Sequence, residues 1–135
     1  MNNEKRTPVI YRWNEWEASE RISEGLAVHW LTDVQDSLDL SAPELGRAVQ
    51  ISTRTLARRR NQKLLPPDES ERVYRILRLV NLASEVLGSE DDARDWMKEP
   101  NTSLAGKTPL DVARTEPGAA IVTRLLEQIR HGIAA

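Results

Sequence analysis

The sequence contains no cysteine, so neither a disulfide nor a thiolate-bound metal can hold this chain together. Histidine is nearly as scarce: there are two, His29 and His131, 102 positions apart. No cluster of histidines and carboxylates has metal-ligand spacing, and no glycine-rich loop of the phosphate-cradling kind is present. Apolar runs are short, and none approaches the roughly 20 residues that a membrane span requires. The first residues, MNNEKRTPVIYRW, lack the apolar core of a secretory signal, which makes the cytoplasm the simplest expected location. These shortages leave little support for enzyme chemistry. No catalytic residue, metal or cofactor is expected.

What the chain does have is charge, unevenly placed. Of 135 residues 30% are charged and 39% hydrophobic, the balance of a globular protein with one ordinary domain or two small ones. The net charge of −2 conceals an asymmetry. Residues 1–40 and 66–100 each carry −4, whereas residues 41–65 hold one acid, Glu44, against six bases: Arg47, Arg54, Arg58, Arg59, Arg60 and Lys63. A concentrated basic segment in an acidic protein fits a localised anionic partner; a solvated helix face balancing its acidic neighbours fits the same charges.

Periodicity gives helices and almost no strands. From Arg21 to Leu38, apolar residues recur at three- and four-residue steps, predicting one helix with a buried stripe. Ser41 and Glu44 have the spacing of a capping box around Pro43, so a helix is expected from Ala42 to about Val49. Ser52 is a second N-cap, for a helix from Thr53 to about Asn61. Pro66 and Pro67 break the chain before the longest helix, which ends at Gly88. A short helix with an acidic start follows to about Met97, its SEDDARD stretch complementing the helix dipole rather than forming a catalytic carboxylate pair. NTSLAGKT reads as loop, Thr108-Pro109 opens a short helix to about Arg114, and Pro117 opens the last, to His131. Trp30 and Trp96 fall within helical patterns and are expected in the core. Trp13 and Trp16 lie in a poorly periodic arm, where aromatics dock on a partner or on the protein's own surface.

ELGRAVQISTRTLARRR therefore has the outline of a helix-turn-helix, with Leu45, Val49, Ile51 and Leu56 locking two short helices and Gly46 at their approach. Docked in a major groove, the second helix would offer Thr53, Arg54 and Arg58 to base edges and Ser52, Thr55, Arg59, Arg60 and Lys63 to phosphates. Gln50 stands in the turn where glycine is usual. An ordinary helical hairpin with a basic face is the competing reading.

The last residues, LLEQIRHGIAA, pose a separate question. Gly132 sits where a helix C-terminal glycine belongs, so Ile133, Ala134 and Ala135 are expected to leave the helix axis, either to touch something or to fray.

The second half resembles the toxin-binding domain of the Xre/MbcA/ParS antitoxin family. The resemblance is carried by Ala93, Trp96, Pro100, Asn101, Leu104, Gly106, Pro109, Thr115, Gly118, Val122, Leu125, Leu126, Ile129 and Gly132, and by STRTLARRR and ESERV, which are similar to that family's helix-turn-helix portion. Residues 1–20 are not covered. The resemblance implies a type II antitoxin whose partner is a RES-domain toxin acting on NAD, by degrading it or by transferring ADP-ribose. It implies direct toxin binding with the C-terminal end (Ile129, Arg130, His131, Gly132, Ile133, Ala134 and Ala135) in or over the NAD pocket, and operator binding that represses the operon.

The expected architecture is thus all-α, about seven helices: an arm at 1–20, a helix-turn-helix subdomain at 21–66, and a small helical toxin-binding subdomain at 67–135 containing the long connecting helix. The expected partners are a RES-domain toxin, operator DNA and a second copy of the chain within a hetero-oligomer, with no membrane. The alternative is a stand-alone helix-turn-helix transcription regulator whose C-terminal half dimerises or senses a ligand.

Overall fold

The computed structural model describes residues 12–132, and these are almost entirely helical. Eight α-helices run in order: α1 Glu15–Glu24, α2 His29–Leu38, α3 Ala42–Val49, α4 Thr53–Arg59, α5 Pro67–Leu87, α6 Glu90–Lys98, α7 Pro109–Val112 and α8 Glu116–Arg130, with a 3-10 turn at Thr102–Leu104 between α6 and α7. The helix starts follow their caps. Ser41, Ser52, Ser89, Thr108 and Thr115 each accept a backbone N–H three residues on, satisfying one of the donors a first turn leaves without a partner.

The single helix expected from Arg21 to Leu38 is two. Gly25 adopts φ +97°, and a Cβ there would lie 2.5 Å from the Leu65 carbonyl oxygen. The chain turns at that point because the segment before α5 comes alongside. Leu65 N–H donates to Leu26 O at 2.8 Å, Val28 N–H donates to Lys63 O at 3.0 Å, and Ala27 and Leu64 form an isolated antiparallel bridge. A pairing between residues nearly forty positions apart leaves no trace in local periodicity. Helix α1 begins at Glu15, within the segment expected as an arm, and is capped locally by Asn14.

Helix α5 is the axis of the fold. It buries Val73, Ile76, Leu77, Leu79, Val80 and Ala83, and packs against α1, α2, α3, α6 and α8. One continuous core joins Leu31, Val34 and Leu38 of α2, Leu45 and Val49 of α3, Leu56 of α4, Met97 of α6 and Val122 and Leu126 of α8. Burial of this contiguous apolar set is the main term favouring the fold. Trp30 and Trp96 pack against the core at its margin rather than inside it. Trp13 docks on the protein's own surface: it stacks on Tyr74 at 6.3 Å, meets Trp30 edge-on at 6.4 Å, and carries the Arg21 guanidinium 4.9 Å above its ring. Trp16 is left 75% exposed.

Candidate functional sites

The basic hairpin is built from short-range rules and then locked from outside. Ser41 and Glu44 close a reciprocal capping box, with Ser41 Oγ accepting from Glu44 N–H at 3.2 Å and Glu44 Oε1 accepting from Ser41 N–H at 2.8 Å. The bond from the Ser41 backbone N–H is the larger cause that holds the Glu44 carboxyl's pKa below the ordinary glutamate range, and the nearby Ser41 hydroxyl acts on it in the same direction. Gly46 faces the turn, where a Cβ would meet Ile51 O at 2.5 Å, so only glycine allows the two helices to close to this distance.

Gln50 itself takes the left-handed turn conformation, φ 58° and ψ 46°. It does so with compensation. Its side-chain Nε2 donates to the Arg114 carbonyl at 2.7 Å, while Arg72 donates to Val49 O at 2.7 Å and to Gln50 O at 3.3 Å. The turn is therefore held by residues 64 and 22 positions away, which explains how it does without glycine.

The exposed face of α4 carries Thr53, Arg54 and Arg58, and Lys63 follows in the loop; among the described residues Arg54, Arg58 and Lys63 enter no ion pair. Ser52 is occupied as the N-cap, accepting from Thr55 N–H at 3.1 Å and donating to Thr55 Oγ1 at 3.0 Å. Thr55 is half-buried. Arg60 is exposed but leans on α2, reaching Gln35 Oε1 at 2.8 Å and Thr32 Oγ1 at 3.3 Å.

Arg59 is placed otherwise than the phosphate contact expected from its neighbours. Its Nε and Nη2 donate to the two carboxylate oxygens of Glu69, both at 2.8 Å, and its side chain is only 14% exposed. This bidentate pair raises the guanidinium pKa further above its ordinary value, chiefly through the Glu69 hydrogen bonds, and pins the end of α4 to the first turn of α5. Two of the three nitrogens of its fork are thus committed to Glu69. That partner lies beyond two prolines, ten positions on.

At the other end of the molecule, α8 starts at a tight junction. Thr115 Oγ1 accepts from Gly118 N–H at 3.1 Å, and the Gly118 Cα faces the last carbonyl of α7 so closely that a Cβ would stand 1.7 Å from Val112 O. The helix buries Ala119, Val122, Leu125 and Leu126. Near its end Ile129 is half-buried, Arg130 bonds Glu85 of α5 at 3.1 Å, and His131 is exposed. Gly132 takes φ +70°, and its N–H donates to Ile129 O at 3.1 Å, so the helix stops there. Ile133, Ala134 and Ala135 lie outside the described residues. The loop before α7 is held by its own polar groups: Asn101 Oδ1 accepts from Ser103 N–H at 2.9 Å, and the Asn101 and Lys107 backbones pair at 3.0 Å. Leu104 anchors it in the interior.

Among the described residues no group of histidines and carboxylates could hold a metal, and no helix is long and apolar enough to cross a membrane.

Comparison with known proteins matches both halves. Residues 17–78 match the antitoxin Xre-like helix-turn-helix domain, and residues 82–132 match the antitoxin Xre/MbcA/ParS C-terminal toxin-binding domain. The chain belongs to the Xre/MbcA/ParS antitoxin family. It is 36% identical to an antitoxin Xre of Yersinia enterocolitica over 75% of this chain and 72% of that protein. It is 27% identical to a Prs ADP-ribosylating antitoxin of a Sphingobium strain, over 94% of this chain and 86% of that one. A solved structure of the Mycobacterium tuberculosis MbcT–MbcA toxin–antitoxin complex contains a chain of the same fold, with TM-score 0.62 and 25% identity, covering 80% of this chain and 96% of the other. In this antitoxin the helix-turn-helix match ends and the toxin-binding match begins inside α5, so one unbroken helix serves both halves.

Proposed function

We propose that this antitoxin neutralises a RES-domain toxin acting on NAD, binding it directly and laying the segment after α8 over the toxin's NAD pocket. It also binds operator DNA in the cytoplasm through α4, as a homodimer within a hetero-oligomeric complex, and so represses its own operon. It performs no catalysis itself. The observation that carries the toxin half is the match of residues 82–132 to a toxin-binding domain whose last helix stops at a glycine in the left-handed region. A relative named for ADP-ribosylation, a reaction whose donor is NAD, supports the substrate class, and the fold shared with a chain of a toxin–antitoxin complex supports neutralisation by contact. The operator half rests on Arg54 and Arg58 on α4, exposed and in no ion pair among the described residues, whose planar forks match guanine or phosphate oxygens. Two half-sites read by two copies follow from the usual use of this motif.

The proposed plug has a simple chemistry: Ile133 would fill an apolar wall of the pocket. The test is deletion of Ile133–Ala135. Helix α8 is already capped by the amides of His131 and Gly132, so the fold and DNA binding are expected to survive. The toxin complex persists through the remaining contacts while NAD consumption reappears; Ile133→Asp acts in the same direction, since an unpaired carboxylate in an apolar pocket costs several kcal/mol. Turnover that stays fully suppressed in the truncated complex would assign inhibition to the helices instead. A stand-alone regulator predicts no toxin complex at all.

A further inference from the structure

Three large apolar side chains are exposed among the described residues, Trp16, Leu64 and Ile121, and only Ile121, at 42%, lies in the segment matched to a toxin-binding domain. It borders a groove of about 490 Å³ between the 3-10 turn and α8. Leu104 and Leu125, both buried, lie beneath it, Ile121 supplies its exposed apolar side chain, and Thr102, Ser103, Arg124 and Gln128 line it with polar groups. Ile121, Arg124, Leu125 and Gln128 follow the i, i+3, i+4, i+7 spacing of one helix face, about 10 Å long, which continues toward Gly132. Arg124 is chemically distinct from its neighbours. Arg94 and Arg130 of the same segment are tied to carboxylates of this chain, whereas Arg124 is exposed and enters no ion pair among the described residues.

We propose that this groove is a second contact surface for the toxin, separate from the C-terminal end: it receives an apolar side chain of the toxin whose flank carries a carboxylate that meets Arg124. The proposal rests on the reading of this chain as a direct toxin binder. Two features favour that occupant. The groove sits within the toxin-binding match and runs along α8 toward the end that would reach the active site, so one toxin molecule could engage both. Its chemistry, one exposed apolar side chain, Ile121, beside an open and largely polar groove with the cation Arg124, which enters no ion pair among the described residues, suits an apolar anchor with an acidic neighbour, the arrangement of a small energetic centre surrounded by polar rim contacts. The groove would then supply affinity, and the segment after Gly132 would supply inhibition.

The experiment titrates the cognate RES-domain toxin with the full-length antitoxin and reads both association and residual NAD turnover. Ile121→Asp and Arg124→Glu are each expected to weaken association about tenfold or more. Their thermal stability should match wild type, because both side chains are exposed, and turnover should still fall to zero at saturating antitoxin. Arg124→Lys is expected to retain part of the affinity. Deleting Ile133–Ala135 gives the opposite pattern, near-normal association with turnover that no excess suppresses. If wild type binds and both groove variants bind equally well, the groove proposal is overturned and the toxin reading stands. If wild type does not bind the toxin, both are overturned. Should Ile121→Asp instead change only the self-association of the free antitoxin in sedimentation, the surface belongs between copies of this chain and the proposal fails.

Discussion

Replacing Gly118 with alanine reverses the usual sign of a glycine-to-alanine change in a helix. At an open helical position alanine is favoured over glycine by roughly 0.5–1 kcal/mol, because glycine loses more backbone freedom on folding. Gly118 is not open. A Cβ there lies 1.7 Å from Val112 O, 2.8 Å from Val112 C and 3.0 Å from Thr115 Oγ1. Ordinary carbon–oxygen contacts begin near about 3.3 Å, so α7 and α8 would have to separate by roughly 1.5 Å. The two nearest, Val112 O and C, are backbone and cannot rotate away. Overpacking of this kind costs about 1–3 kcal/mol or more; taking about 3 and allowing about 1 for the gain in helix propensity leaves a net loss of about 2 kcal/mol. With an unfolding entropy of about 2.1 cal/mol/K per residue, a chain of this size should then melt about 7 °C lower. The assay is thermal unfolding followed by circular dichroism at 222 nm. Ala120→Gly, at an exposed position of the same helix, is the control and should cost only about 1 kcal/mol. A Gly118→Ala protein that melts at or above the wild-type temperature would refute the close approach of α7 to α8 and the role given to glycine there.

Leu126 is fully buried in the shared core, so Leu126→Ala should destabilise the whole protein by about 2–5 kcal/mol in urea unfolding, with toxin binding falling only as a consequence; unchanged stability with lost binding would move that side chain to the interface. Arg54→Ala and Arg58→Ala should each cost about 1–3 kcal/mol at the operator and relax sequence preference, while Lys63→Ala weakens specific and nonspecific binding alike. Binding that is insensitive to salt and to the Arg54/Arg58 double change would remove α4 from the DNA interface. The Glu44 cap stabilises α3 only as a carboxylate. Because its folded-state pKa is depressed, that contribution is complete above the ordinary glutamate range and is lost as pH falls through the lower folded value; Glu44→Gln should flatten this part of a melting-temperature profile against pH.

Most of the helical framework was legible because it is locally encoded. The capping box at Ser41 and Glu44, the N-cap at Ser52, and Pro67 and Gly88 around α5 act within a few residues, and the observed helices begin and end within about two residues of where those signals put them. The failures are long-range. Gly25 breaks the expected first helix because Leu65 approaches from the far side of the hairpin, and Arg59 turns inward because Glu69 waits at the start of the next helix. Gln50 looked like a defect in the turn motif until Arg114 supplied a partner. The exposed Ile121 was invisible for a related reason: it interrupts no pattern, and only the packing of Leu104 beside α8 makes a groove of its surroundings.

The position of α5 bears on how such proteins can be recombined. The two matched segments meet between residues 78 and 82, in the middle of a 21-residue helix where Leu79, Val80 and Asn81 are all buried. A chimera joined at that seam would have to reconcile two unrelated sets of packing partners on one helix. Exchanging the helix-turn-helix half of one relative for that of another therefore calls for crossovers outside the shared helix, at Pro66 or at Gly88. Even then Arg72 and Arg75 must remain matched to the turn around Gln50 and to the Arg114 carbonyl they bond.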